Sequence, residues 1–215
     1  MKVKWLGHAC FLIVSDEGLR IITDPYAVEQ NLNYSPIKEA ADVVVVSHDH
    51  YDHNNISVVQ GKPEVLKASG VRTARGIQFR GITTYHDTSQ GKQRGANTVF
   101  CFSLDKMNLC HLGDLGHVLS PGQIKEIGGV DILFIPVGGF YTIGAAAASQ
   151  VCDQLKPKVV IPMHFRTPQC TYPIAGVDDF LRGKENVKKI DLSEIEFRLE
   201  KLPRITEIVL LKPVS

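Results

Sequence analysis

The chain has 215 residues, a formal net charge of +1, 44% hydrophobic residues and 22% charged residues. That length makes one large domain or two small ones, and it suffices to bury a real core. The balanced charge offers no field to attract nucleic acid or a membrane surface, and no apolar run approaches the ~20 residues of a membrane span. In chain order, short strands are expected at 3–6, 11–14 and 19–23, with a hairpin turn at Glu17-Gly18. The β-branched run 43–47 reads as a buried strand. Strands at 77–84, 98–104 and 108–112 follow, with a turn at Asp105-Lys106 between the last two. Ser120-Pro121, with Gln123 three residues after Ser120, predicts an N-cap, a proline in the first helical position and a capping-box partner. That helix should run to Ile127 and stop at Gly128-Gly129. Then come a strand at 131–137, an alanine-rich helix at 144–155, a strand at 159–163 and a helix at 177–182. Late strands are expected at 197–199 and 205–211. A meander of strands followed by strand–helix alternation predicts two sheets with helices outside. No proline-rich or glycine-serine linker divides the chain, so residues 1–215 read as a single domain.

One stretch carries chemistry. His48-Asp49-His50-Tyr51-Asp52-His53 places three histidines and two aspartates in six residues of a chain with eight histidines. A polar surface loop accounts for one histidine after a strand, but not for this density. His48 and His50 are two apart and project from the same side of an extended backbone. Asp52 and His53 follow where the chain must turn, and reach a second point. One cluster can thus begin two metal sites. Imidazole with carboxylate suits zinc, with manganese or iron as alternatives. The pattern of an apolar strand followed by a ligand type recurs at His86, at His111 with Asp114, and at His164. Strand ends are stiff and preorganise what they carry. Segments 42–48 and 158–164 share this pattern, as two similar halves meeting at one site would.

With these residues the chain resembles the metallo-β-lactamase-fold hydrolases. The signature His-x-His-x-Asp-His stands as His48, His50, Asp52 and His53, followed in order by His86, Asp114 and His164. Gly7-His8, Thr23-Asp24-Pro25, Pro136-Val137-Gly138-Gly139 and Pro162-Met163-His164 are similar to pieces of the small bacterial and archaeal branch that includes the ascorbate-phosphate lactonase type. The resemblance implies an α/β fold, a four-layer αββα sandwich with the site along one edge between the sheets. It implies that His48, His50 and His86 hold one metal ion, that Asp52, His53 and His164 hold a second, and that Asp114 bridges them. A hydroxide between two divalent ions would then be the nucleophile.

Other residues stand near these motifs. His8 and His117 are candidates for a catalytic role beside Asp52, against structural roles at a strand and a helix entry. His111 reads as core or support, and Asp24 as a residue that orients a ligand histidine or turns the chain before proline. Asp49 should point away from the metals. Lys92, Arg94 and Arg166 each follow a ligand motif and could hold an anionic group, against the alternative of solvated surface charge. Tyr141 and Thr142 could line the pocket. The five cysteines form no Cys-x-x-Cys pair, Cys110 reads as core, and Met1-Lys2-Val3-Lys4-Trp5 lacks a signal-peptide core. A cytoplasmic metal-dependent hydrolase of a small, anionic substrate is the expectation, with no nucleic-acid or membrane partner; a homo-oligomer stays open. The alternatives are a phosphodiesterase or nuclease on the same scaffold, or a metal-bound sensor without turnover.

Overall fold

The computed structural model describes residues 1–214. The strands are β1 (Lys2–Gly7), β2 (Cys10–Val14), β3 (Arg20–Thr23), β4 (Val43–Val45), β5 (Glu64–Leu66), β6 (Gly70–Ala74) and β7 (Ile77–Tyr85). Then follow β8 (Ala96–Leu104), β9 (Met107–His111), β10 (Ile132–Pro136), β11 (Val159–Met163), β12 (Val187–Lys189), β13 (Glu194–Glu196) and β14 (Glu207–Leu210). The helices are α1 (Pro121–Ile127), α2 (Ala145–Leu155) and α3 (Asp178–Leu181). One sheet has the order β13-β1-β2-β3-β4-β5, the other β12-β14-β11-β10-β9-β8-β7-β6.

Alternation along the strands explains how the layers stack. In β4 and just beyond it, Val43 and Val45 enter the core between the sheets, while Val44 and Val46 enter a second cluster on the outer face. Ile21 and Ile22 of β3 divide in the same way. A strand covered on both faces reads as an unbroken apolar run, which is what 43–46 shows. The outer cover of this sheet is irregular chain. Tyr26, Leu32, Tyr34 and Ile37 pack there, with Val59 after a 3-10 turn at Ile56–Val58. On the other sheet every residue of β10 and β11 is buried, and α2 adds Ala148, Val151 and Leu155 to the same core. This two-sheet α/β sandwich is the expected fold. Among the described residues no helix is long and apolar enough to cross a membrane.

The α1 signals act as read. The Ser120 side chain accepts from the Gln123 amide, Gln123 returns the bond, and the helix stops at Gly128 with φ 71°. Two expectations need correction. Residues 197–199 are not a strand; β13 lies at Glu194–Glu196, and a 3-10 turn occupies Leu199–Lys201. Glu194 and Glu196 are exposed, so this strand carries no apolar pattern. Strands β5, β6 and β12 were not expected and are likewise mostly exposed.

Topology collects the ligand-bearing loops at one edge. Strands β9, β10 and β11 run parallel, as do β3 and β4. β7 and β9 are both antiparallel to β8, so they also share a direction. The loops leaving β7, β9 and β11 therefore open on one side, outside the carboxyl ends of the strands, and the chain leaving β4 meets that sheet where the Thr98 amide donates to the Ser47 carbonyl at 2.8 Å. Trp5 anchors the turn after β1: it is 1% exposed, and its Nε1–H donates to the His8 carbonyl at 3.0 Å. Trp5→Phe should cost about 0.5–1.5 kcal/mol through the lost hydrogen bond, since the His8 carbonyl keeps the His164 amide. Urea unfolding followed by circular dichroism checks this, since Trp5 is the one tryptophan of the chain.

Candidate metal centre

The site is built on a buried carboxylate. Asp114, in the loop after β9, is 2% exposed, and its amide donates to Asn97 Oδ1 at 2.9 Å. The Asn97 amide nitrogen is held by Thr84 Oγ1 and the Leu112 carbonyl, so the support of Asp114 is fully bonded. Four imidazole nitrogens surround Asp114 Oδ2: Nε2 of His86 and His164 at 3.2 Å, of His53 at 3.3 Å and of His48 at 3.9 Å. His50 Nδ1 lies 3.1 Å from His48 Nε2. His48, His50 and His86 converge as one ligand set, and Asp52, His53, His164 and His8 as another.

A second buried carboxylate sets the ring orientations. Asp24 Oδ2 accepts from His53 Nδ1 at 2.9 Å and from the Ser47 hydroxyl at 2.6 Å, while Oδ1 takes the Ser47 amide at 2.7 Å. Ser47 Oγ in turn lies 2.8 Å from His48 Nδ1. With its hydroxyl hydrogen given to Asp24, Ser47 is left to accept from His48 Nδ1–H. Both histidines thus carry a hydrogen on Nδ1 and turn Nε2 inwards, the orientation that metal-ligating histidines require. The Val run thus ends in a residue, Ser47, that is part of the site.

The charges are coupled. For Asp114, burial alone would raise the carboxyl pKa, but His164 and His53 outweigh it and hold the group well below the usual carboxylate range. Asp52 behaves alike, with burial opposed by His53 and His8. Burial lowers His48 to about 3, assisted by His53, and lowers His8 to about 4, assisted by His164. His53 goes the other way: burial would lower it, but Asp114 and Asp52 push it well up. Ionised carboxylates and neutral imidazoles are the forms that bind metal.

A divalent ion fits these residues. His53 Nε2 and Asp114 Oδ1 are buried with no hydrogen-bond partner, a costly state unless another group satisfies them. The seven residues His48, His50, Asp52, His53, His86, Asp114 and His164 are brought together at one edge. Five of them, His50, Asp52, His86, Asp114 and His164, line a cavity of about 530 Å³.

The remaining candidates divide. His8 is fully buried with φ 53°, and its Nε2 lies 3.3 Å from Asp52 Oδ2. His117 does not enter the site: its Nε2 accepts the Tyr85 amide at 3.1 Å and its Nδ1 donates to the Val118 carbonyl at 2.9 Å. With both nitrogens committed to backbone, it has none left for catalysis. His111 likewise bonds the Ala9 carbonyl and the Gly113 amide. Arg94 and Tyr141 line the cavity. Arg166 is exposed and lies off the cavity wall, as does Lys92. The Arg166 amide bonds the Ala175 carbonyl. Asp49 points away, towards Asn54 and Lys67.

Several cavity residues carried no sequence signal. Gln93, Tyr51 and Tyr172 are on the wall. The Tyr51 and Tyr172 hydroxyls lie 2.8 Å apart, and both contact Glu29 Oε1. Tyr51 stood inside the signature but was not read as wall; Tyr172 is 119 positions beyond His53 and nothing in the sequence links it to the site.

Fold and site define a metallo-hydrolase, and comparison with known proteins places it further. The family model of the beta-lactamase superfamily domain matches residues 2–164, and the chain belongs to that superfamily. It falls among the metal-dependent hydrolases there. A UPF0173 metal-dependent hydrolase of Archaeoglobus fulgidus is 28% identical, over 99% of this chain and 96% of its own length. One from Methanobrevibacter smithii is 30% identical, over 78% of this chain and 82% of its own. A crystal structure from Thermotoga maritima, described as a candidate Zn-dependent hydrolase of the metallo-β-lactamase superfamily, is 38% identical. It covers 100% of this chain and 99% of its own, with a TM-score of 0.81.

Asp24 is the residue to test. Asp24→Ala frees His53 Nδ1 and the Ser47 hydroxyl, and should weaken metal affinity by roughly 10–100-fold. Competition with a chromophoric chelator measures it; an affinity equal to that of the unaltered chain would remove Asp24 from the support of the ligands.

Proposed function

We propose that the protein is a cytoplasmic dinuclear hydrolase that cleaves an ester, lactone or phosphoester bond in a small anionic molecule. The observation that carries this reading is the Asp114 carboxylate, set among imidazole nitrogens from two ligand sets beside an open cavity. His48, His50 and His86 would hold one ion, and Asp52, His53 and His164 the other, with Asp114 shared. Zinc suits this donor set best, with manganese or iron as alternatives, and the description of the Thermotoga relative supports that order. Two such ions polarise a substrate oxygen and make hydroxide available near neutral pH.

The chain's own groups supply the rest. Asp52 and Asp114 stay ionised, so they orient and balance charge rather than store a proton. His8, neutral above about pH 4, steadies Asp52 through the contact at 3.3 Å. Tyr141 and Tyr172 form one wall. Arg94 faces the same cavity, with its guanidinium carbon 4.8 Å from the centre of the Tyr141 ring. Its charge would receive the anionic part of the substrate.

Reconstitution at neutral pH followed by elemental analysis should find up to two transition-metal ions per chain; failure to take up any metal would falsify the reading. Asp52→Asn should keep the fold and lower turnover of p-nitrophenyl esters at least ~100-fold. Near-normal turnover in that variant would take Asp52 out of the mechanism.

A further inference from the structure

We propose that Asp87 is a positioning residue. Its carboxylate organises the 87–95 loop so that Arg94 makes a preformed anion-binding subsite beside the metal centre. The proposal rests on the hydrolase reading only in taking the same cavity as the place where substrate sits.

Asp87 directly follows the ligand candidate His86 and is 7% exposed. Its Oδ1 accepts the amides of Ser89 at 2.7 Å and Gly91 at 2.9 Å, and its Oδ2 accepts those of Gln93 and Arg94 at 2.9 Å. Four backbone donors fill the capacity of one carboxylate. The loop is wound around the side chain that begins it. Gln90 and Gly91, with φ 59° and 78°, make the bend. The loop also closes on itself, because the Gly95 carbonyl accepts the His86 amide at 3.1 Å.

The ring is clamped to the metal centre from the other side. Gly116 follows Asp114 by two residues, and a Cβ there would collide with the Asp87 amide and the His86 carbonyl carbon. The Gly116 amide donates to the Tyr85 carbonyl at 2.9 Å. The start of the loop, residues 85–87, is therefore held against the segment that follows Asp114, and Asp87 ties the Arg94 amide to it.

The side chain completes the subsite. The Arg94 guanidinium lies 4.8 Å from the Tyr141 ring centre and 5.8 Å from that of Phe140. A guanidinium held over a ring by cation–π attraction still has N–H groups to offer a ligand. Arg94 and Gln93, two of the residues whose amides Asp87 holds, are the ones that reach the cavity wall, whereas exposed Lys92 between Gly91 and Gln93 does not. A charge on a slack loop loses affinity to the entropy of ordering it, and four amide bonds remove that loss in advance.

The test uses the metal-loaded full chain. Asp87→Asn exchanges one accepting oxygen for an NH2 group that opposes two of the amides. Hydrogen exchange at Ser89, Gly91, Gln93 and Arg94 should then quicken about tenfold or more, with metal content unchanged. Calorimetry should show inorganic phosphate binding about tenfold more weakly. Arg94→Ala should lose the same phosphate affinity while its loop exchange stays slow. Both variants should lower the preference for mono-p-nitrophenyl succinate over p-nitrophenyl acetate by about tenfold, through the KM of the anionic ester rather than kcat. Gly91→Ala strains the bend while leaving the Asp87 side chain itself unaltered, and reproduces both losses should Asp87→Asn not fold. Unchanged phosphate affinity in Arg94→Ala, unchanged exchange in the Asp87 and Gly91 variants, or an equal loss on both esters overturns the proposal. A wild-type chain that hydrolyses neither ester counts against the hydrolase reading, while the exchange and phosphate measurements still decide this one.

Discussion

A carboxylate taken out of water must be met by charge or by hydrogen bonds, and the site edge is organised around that demand at Asp114. Its Oδ2 has imidazole nitrogens on several sides, and its backbone is fixed through Asn97. The histidines face the matching problem. Buried imidazoles crowd one another, so His48 and His8 are driven towards neutrality while His53, ringed by Asp24, Asp52 and Asp114, is pushed the other way. Neither set is comfortable alone. A metal cation would satisfy both, since it pairs with carboxylates and takes imidazole lone pairs.

The backbone carries part of the cost. His8, Asp24 and His164 are non-glycine residues with φ of 53°, 37° and 50°. Such conformations are sparsely populated for side-chain-bearing residues and cluster where a structure over-determines them for function. Here the restraints are identifiable. The His8 carbonyl takes Trp5 Nε1 and the His164 amide, and the Asp24 amide bonds the Val45 carbonyl. Core packing of the two sheets thus holds the ligand loops in place.

Beyond the ligands, the cavity is dressed by loops, where scaffold and specificity separate. Tyr51 comes from the signature loop, Tyr141 from the turn after β10 and Tyr172 from the chain after β11. Arg94 comes from the loop after β7 and stacks on the turn after β10. The walls are therefore set by contacts between segments distant in sequence.

Burial and residue density made part of this structure readable in advance. The inner strands were legible because apolar residues mark chain buried on one or both faces, as at 43–46 and 159–163. Helix α1 was legible from its cap, and the cluster of histidines and aspartates that the fold brings together was legible from their places at strand ends. The strands that were missed or misplaced, β5, β6, β12 and β13, are the four edges of the two sheets. An edge strand is paired on one side and largely solvated, so nothing in its side chains announces it. Which cations meet the cavity is settled by folding: Arg94 does and Arg166 does not, because loop direction depends on partners such as Asp87 and Ala175. It also separated His8, set against Asp52, from His117, whose nitrogens are taken by backbone. A histidine's identity shows that it can bind a metal or move a proton; which atoms lie within 3 to 4 Å of it is a property of the folded chain alone.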